Sequence, residues 1–514
     1  MIVELLSVVA VFAGGCLAVR IAGLTGWPVP AFGLVAGVCL QLTVGLVQVV
    51  TPLPTSPMLT LVFTAGLPAA GWLVRWRQGH DVTLPVRYSA LSLLVLAAVV
   101  AVVRPANLVK WHIDSLKYVM TGSLLADGTY YRAEPTNDVV TRLIGLPLLH
   151  APAQLAGEDY LRSITLLLAA ATLAILVWFF RQGMRDRLDR RQLVTFAALG
   201  ALLLVTGNRF VFSAFYINGH LLVAMLLLTI AGCGWLLAGD GDQPVRALMT
   251  LQVLAIPALV VARPEGAVLA GLALFPTLLS GRVPVRHRAA ATAVLGVTIV
   301  VWQGFVLWVH LDRGIGVPLN VAGMLGLGGL VVAAAGLLRL WQLPDRIRWL
   351  VVAEAGLWLA LAAFTVRAPD ILADSVRATI QNVVFGAGRW GASLVVLGAL
   401  VAGALLFAGF PGQASLRFPV TTFLPLGFLL AYLREEGAYR ANYTDSLSRM
   451  FMHVVPLAVL YVTVAYSQRR RETSDDRGPA GRGDARGRHR QPHEEVHGEQ
   501  PGDPLADHAM GRPA

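Results

Sequence analysis

Long runs almost free of charge recur along this chain: Ala90–Val103, Ile164–Phe180, Leu221–Leu237 and Ala289–Val309 are examples. A helix needs roughly 20 apolar residues to cross a bilayer, with a lower range near 17. Of the 514 residues, 56% are hydrophobic and only 14% charged, and the mean hydropathy is +0.66. Those values lie far from a soluble average. The expected fold is therefore all-α, a polytopic transmembrane bundle of about 13–15 spans. Cys16, Cys39 and Cys233 all fall inside apolar runs, where they read as small buried residues. The start, with Glu4 as its one early charge, reads as a retained first helix.

Arginine-rich connectors fix the expected orientation. They contain Arg75, Arg77 and Arg87; Arg181, Arg185, Arg187, Arg190 and Arg191; Arg282, Arg286 and Arg288; Arg346 and Arg348; and Arg469–Arg471. Alternating spans put all five on one side, which the positive-inside rule assigns to the cytoplasm of the plasma membrane. The opposite side then receives 104–162, 208–218, 311–320, 367–390 and 434–450, segments that keep aromatics and both signs of charge. Such segments are more than connectors. After about residue 467 the chain turns rich in Gly, Pro, Arg and acids, the composition of a disordered cytoplasmic tail over 468–514. No repeat is visible, nor a P-loop, GxGxxG, HExxH or GxSxG.

The first outer segment carries Lys110 and Lys117, the only two lysines of the chain. Trp111, His112 and Asp114 stand between them. From Asp114 a helical pattern runs through Leu116, Val119, Met120, Ser123 and Leu124 to a stop at Gly128. That helix would be amphipathic and lie along the membrane surface. Asp114, Lys117 and Tyr118 share one face at i, i+3 and i+4. Asp114 is open to two readings: an N-terminal cap, or a general base for an acceptor hydroxyl. Lys117 could snorkel to headgroups. Glu134, Asp138, Glu158 and Asp159 are weaker acid candidates. "TRLIGLPLLHAPAQLAG" reads as a re-entrant piece. In "VVARPEG", Arg263 and Glu265 lie among apolar residues, as a local ion pair at a turn or as an anion site. Arg209, Arg440 and Arg449 are further outer-face cations.

These features together resemble the GT-C superfamily of integral-membrane glycosyltransferases, which includes protein mannosyltransferases and aminoarabinose transferases. "HIDSLKYVMTGSLLADGTYY" is similar to the family's early-Asp loop with Asp–x–x–x–Tyr and a Gly-terminated amphipathic helix. "ARPEG" resembles its Arg-Pro-Glu-Gly turn, and "DSLSRMFMHVVPLAVLYV" the Arg-x-aromatic opening of a late span. The resemblance covers roughly 88–467, with 1–87 as added N-terminal helices and 104–162 as the catalytic loop. It implies transfer of a sugar from a polyprenyl-phosphate donor to a lipid, glycan or protein acceptor on the outer face. Asp114 would be the catalytic carboxylate. Lys117, Arg263 and Arg449 would hold the donor phosphate, and Tyr118, Trp111 and His112 would line the substrate site. The partners implied are the lipid-linked sugar and membrane lipids, with no nucleic acid.

A divalent cation, Mg or Mn, is the one cofactor the resemblance leaves open. Family members often pair acids in this loop, whereas Asp114 is followed by Ser115, so no metal ligand is assigned. Two rival readings are a transporter or flippase, with ionisable groups near the bilayer midplane and inverted repeats, and a non-catalytic scaffold of envelope assembly.

Overall fold

The computed structural model describes residues 1–51, 55–80, 86–106, 108–109, 113–130, 144–239, 241–314, 316, 319–340, 348–386, 388–409, 413–432 and 446–475. Every long element among them is a helix. In chain order these are α1 (Ile2–Ile21), α2 (Pro28–Val50), α3 (Pro57–Arg77), α4 (Val86–Ala106), α5 (Ile113–Ala126) and α6 (Gly145–His150), which runs into a 3-10 turn over Ala151–Ala156. Then come α7 (Ile164–Met184), α8 (Arg190–Val205), α9 (Asn208–Ala214), α10 (His220–Ala238), α11 (Val245–Ala262), α12 (Gly266–Leu279) and α13 (Val285–Asp312). The remainder are α14 (Leu319–Leu340), α15 (Trp349–Arg367), α16 (Pro369–Val383), α17 (Ser393–Ala408), α18 (Ala414–Thr421), α19 (Phe423–Tyr432) and α20 (Ser446–Asp475).

Among the described residues, eleven helices are long and apolar enough to cross a membrane, and α8 with α9 makes a twelfth candidate bent by 73°. Three further apolar helices, α12, α17 and the run Ala414–Leu430, are shorter. The sequence-based count of 13–15 therefore includes three helices that fall below full spanning length. Local chemistry explains several boundaries. Ser56 caps α3, accepting from Leu59 N–H, with Pro57 at the first helical position. Asp189 and Gln192 form a reciprocal capping box at α8. The ladder breaks between α8 and α9 at Thr206 and Gly207, where Gly207 takes an extended conformation as the N-cap of α9.

The chain forms one compact unit over Met1–Arg471; the described part of Glu472–Ala514 is the end of α20. Apolar character all round a helix predicts burial on all sides. α10 and α20 follow this, with 89% of each span's residues buried, whereas α14 and α15 bury only 17% and turn apolar side chains outward. α1 and α2 approach backbone to backbone: a Cβ on Gly15 would lie 1.8 Å from the Gly33 carbonyl oxygen. Small residues permit such contact between membrane helices. Cys16, Cys39 and Cys233 are buried free thiols.

Side-chain contacts sort the helix ends into two groups. At one end, Arg75 meets the Ile21 carbonyl, Arg181 lies over Trp27, and Gln413 joins Trp235 to Gln468. At the other, Arg104 pairs with Glu158 and Glu4, whose carboxylate accepts from Ser163. The first group coincides with the arginine-rich connectors and the second with the segments expected outside. Glu158, an acid candidate from the sequence, is thereby occupied by a structural ion pair.

Residues near 145–156, expected to re-enter rather than to span, form α6 and its 3-10 turn, together too short to be a span. Gln41 Nε2 donates to the Leu148 carbonyl at 3.0 Å, fixing α6 against α2. Gly145 sits so close to α11 that a Cβ would lie 2.6 Å from Ala262 Cα. The backbone of this non-spanning piece is buried in protein, the condition under which irregular chain is tolerated at membrane depth.

Candidate functional site

α5 begins at Ile113 and ends before Gly128, whose φ of +66° suits glycine. Its protein-facing side carries Ser115, Tyr118, Val119, Thr121 and Leu125, all buried, while Leu116 and Met120 are exposed. Ser115 Oγ donates to the Ile217 carbonyl at 3.1 Å, which ties α5 to the segment before α10. Tyr118 Oη accepts from Arg263 Nη1 at 3.1 Å, and Arg263 Nε donates to Glu265 Oε1 at 2.7 Å. The turn between α11 and α12 is thus locked to α5 through one guanidinium.

One turn earlier on α5, Asp114 Oδ2 accepts from Arg449 Nη1 at 2.6 Å. Tyr216 Oη is 3.5 Å from the same oxygen. The two partners of the pair are 17% and 21% exposed, so the pair is shielded yet reachable. Burial, and then the Asp114 charge, raise the pKa of the Tyr216 phenol, which stays protonated and able to donate.

Two more arginines adjoin this pair. Arg209 and Arg389 lie over the Phe212 ring, at 5.2 and 5.1 Å from its centroid. Phe212 packs on Tyr216 with ring centroids 5.2 Å apart. The turn carrying Arg389 is fastened to the start of α20 by buried Trp390, whose Nε1 donates to the Ser448 carbonyl at 3.0 Å. Arg209 Nη1 reaches the Gly388 carbonyl at 3.4 Å and Asn208 Nδ2 the Arg389 carbonyl at 3.1 Å. Segments separated by hundreds of residues therefore meet around Asp114.

Beneath them, His220 Nδ1 and His453 Nε2 lie 2.8 Å apart, both buried. His220 opens α10 just after Tyr216, and His453 lies one turn after Arg449 on α20. The imidazole pair connects the start of α10 to α20.

Of the residues singled out in the sequence, Asp114, Tyr118, Arg263 and Arg449 come together. Lys117 lies half-buried on the same helix. Trp111 and His112 lie outside the described residues, as do Lys110, Glu134, Asp138 and Arg440. Arg263 makes the local ion pair weighed as its alternative role, and it also reaches Tyr118. Arg449 faces a carboxylate. The sequence reading missed Tyr216, His220, Arg389 and His453. "GAGRWG" around Arg389, an arginine and a tryptophan between glycines, was a usable signal; the two histidines, single and inside apolar runs, had none. Among the described residues no group of three or more His, Cys, Asp or Glu could hold a metal. Asp114 faces a guanidinium, a poor setting for a divalent cation. No protein-family model matches this chain, and no curated protein or solved structure was found to resemble it.

Proposed function

We propose that this multi-pass membrane protein is a glycosyltransferase that moves a sugar from a polyprenyl-phosphate donor to a lipid, glycan or protein acceptor at the outer face of the plasma membrane. The observation that carries this reading is the Asp114–Arg449 pair, reachable from solvent and flanked by Tyr216 and by the Tyr118–Arg263–Glu265 chain. In the resting site Arg449 neutralises Asp114. A donor phosphate competes for that guanidinium, because charge-assisted contacts to phosphate match those to carboxylate in geometry. The released carboxylate then accepts the proton of the acceptor hydroxyl as its oxygen bonds to the sugar carbon. The bond from that carbon to the phosphate oxygen breaks, and the electron pair leaves with the lipid phosphate, stabilised by Arg449 and the neighbouring cations. No step is routed through a metal.

The test is transfer of labelled sugar from polyprenyl-phosphate donors by the purified full chain, compared with Asp114→Asn. A second reading, a transporter, draws on the buried Glu354–Arg417 pair between α15 and α18. It predicts lipid or solute movement in vesicles, sensitive to Glu354→Gln and indifferent to Asp114→Asn.

A further inference from the structure

We infer that Trp390 is a positioning residue, which sets Arg449 against Asp114 by clamping the first turn of α20. The inference rests on the glycosyltransferase reading for its consequence in sugar transfer, and on geometry alone for the clamp. Arg449 is held loosely at its own tip. Among the described residues its guanidinium makes one hydrogen bond, to Asp114, and its Nε is buried without a partner. A guanidinium has five donors, so a single contact leaves its aim to the backbone that carries it. That backbone is the start of α20, one residue past Ser448.

Trp390 grips this point. Its side chain is 2% exposed, and Nε1 donates to the Ser448 carbonyl at 3.0 Å and to Ser448 Oγ at 3.1 Å. An indole N–H can only donate, and a buried one needs an acceptor. Both acceptors here belong to one residue, and one of them is main chain. The indole therefore fixes the helix itself and not merely a side chain on it.

The turn that carries Trp390 is shaped for the approach. A Cβ on Gly388 would stand 2.5 Å from Ser448 Oγ and 2.7 Å from the Asn382 carbonyl oxygen, so only glycine fits there. Gly388 N–H donates to that same carbonyl at 2.9 Å, closing the turn onto the end of α16. Ser393 Oγ donates to the Trp390 carbonyl at 2.6 Å, fastening the other side to the start of α17. Between them Arg389 takes a φ of +61°, a left-handed conformation that is costly for a residue with a Cβ. Such strain persists where the surroundings over-determine it. Here Gly388 and Trp390, on either side of Arg389, both meet Ser448.

The experiment is a double-mutant cycle on Asp114 and Arg449, read by unfolding of the full chain in detergent, with Trp390 present and again in Trp390→Phe. With Trp390 present, the charge-assisted contact should couple the two residues by at least about tenfold in the unfolding constant. In Trp390→Phe, which removes the donor, the coupling should shrink to about threefold or less. Gly388→Ala, which pushes the turn off Ser448, should shrink it likewise. Trp178→Phe, at another buried tryptophan, on α7, should lower stability and leave the coupling intact. Full coupling in a folded Trp390→Phe protein overturns the proposal. Where that variant does not fold, full coupling in Gly388→Ala overturns it. Lost coupling in Trp178→Phe overturns it too, because any core substitution would then loosen the pair. A misplacement of about 1 Å can cost about 10²-fold in rate, so transfer by Trp390→Phe should fall at least about tenfold. Lost coupling with unchanged transfer would overturn the clamp's part in catalysis. Lost coupling in a protein whose wild type transfers no sugar would leave the clamp standing and remove the glycosyltransferase reading.

Discussion

Arg449 and Asp114, 335 positions apart in sequence, make a 2.6 Å charge-assisted contact that joins α5 to the start of α20. A bond to a charged group in a shielded site contributes roughly 1.5–3 kcal/mol. Arg449→Gln should lower unfolding stability in detergent by that order and remove sugar transfer. Asp114→Asn combined with Arg449→Gln should cost less than the sum of the two, because each single change strands its partner. Strict additivity in a double-mutant cycle would show that the two side chains do not act on each other.

Tyr118 gives Arg263 its second partner, the first being Glu265. Tyr118→Phe removes one acceptor and keeps the ring. The protein should fold normally, with donor affinity or transfer reduced about tenfold. Wild-type transfer kinetics in this variant would mean that the position of Arg263 is set without Tyr118.

His150, whose ring accepts from the Leu161 N–H at 3.2 Å, is fully buried, and that burial drives its pKa from 6.5 down to about 4. Between those two values the unfolded chain binds more protons than the folded one. Stability conferred at neutral pH therefore falls as the pH drops from about 6.5 toward 4, by at most about 1.4 kcal/mol per pH unit. Above 6.5 this group contributes no slope. His150→Gln, which keeps an acceptor but cannot titrate, should flatten the acid limb of a plot of thermal midpoint against pH. An unchanged limb would place the acid sensitivity elsewhere.

The spans were legible in the sequence because a bilayer imposes a length and an apolarity that single runs display. The helix α5, its stop at Gly128 and the short α6 were legible for similar local reasons. The two groups of helix ends follow the arginine-rich connectors. What the sequence could not display is pairing across the bundle. Nothing near Arg449 indicates that it faces Asp114, and nothing near Phe212 indicates that Arg389 joins Arg209 over its ring. His220 and His453 look like isolated polar residues in apolar runs until α10 and α20 are packed together.

The expected sidedness has its own test. Asp370 is exposed on α16, and Arg286 is exposed at the start of α13, at the opposite group of helix ends. In intact cells a membrane-impermeant maleimide should label Asp370→Cys and leave Arg286→Cys unlabelled until the membrane is opened. The native cysteines are buried and should give little background. The reverse pattern would put Asp114 on the cytoplasmic face and end the outer-leaflet account.

The most direct measurement is transfer of radiolabelled sugar from membrane polyprenyl-linked donors by reconstituted wild type and by Asp114→Asn, with folding of both checked by thermal unfolding. General-base catalysis contributes about 10²–10⁴-fold. The account predicts transfer by the wild type and a loss of at least about 10²-fold in the folded variant. A folded Asp114→Asn protein that transfers sugar at the wild-type rate would contradict it, as would a wild type inert toward every donor offered.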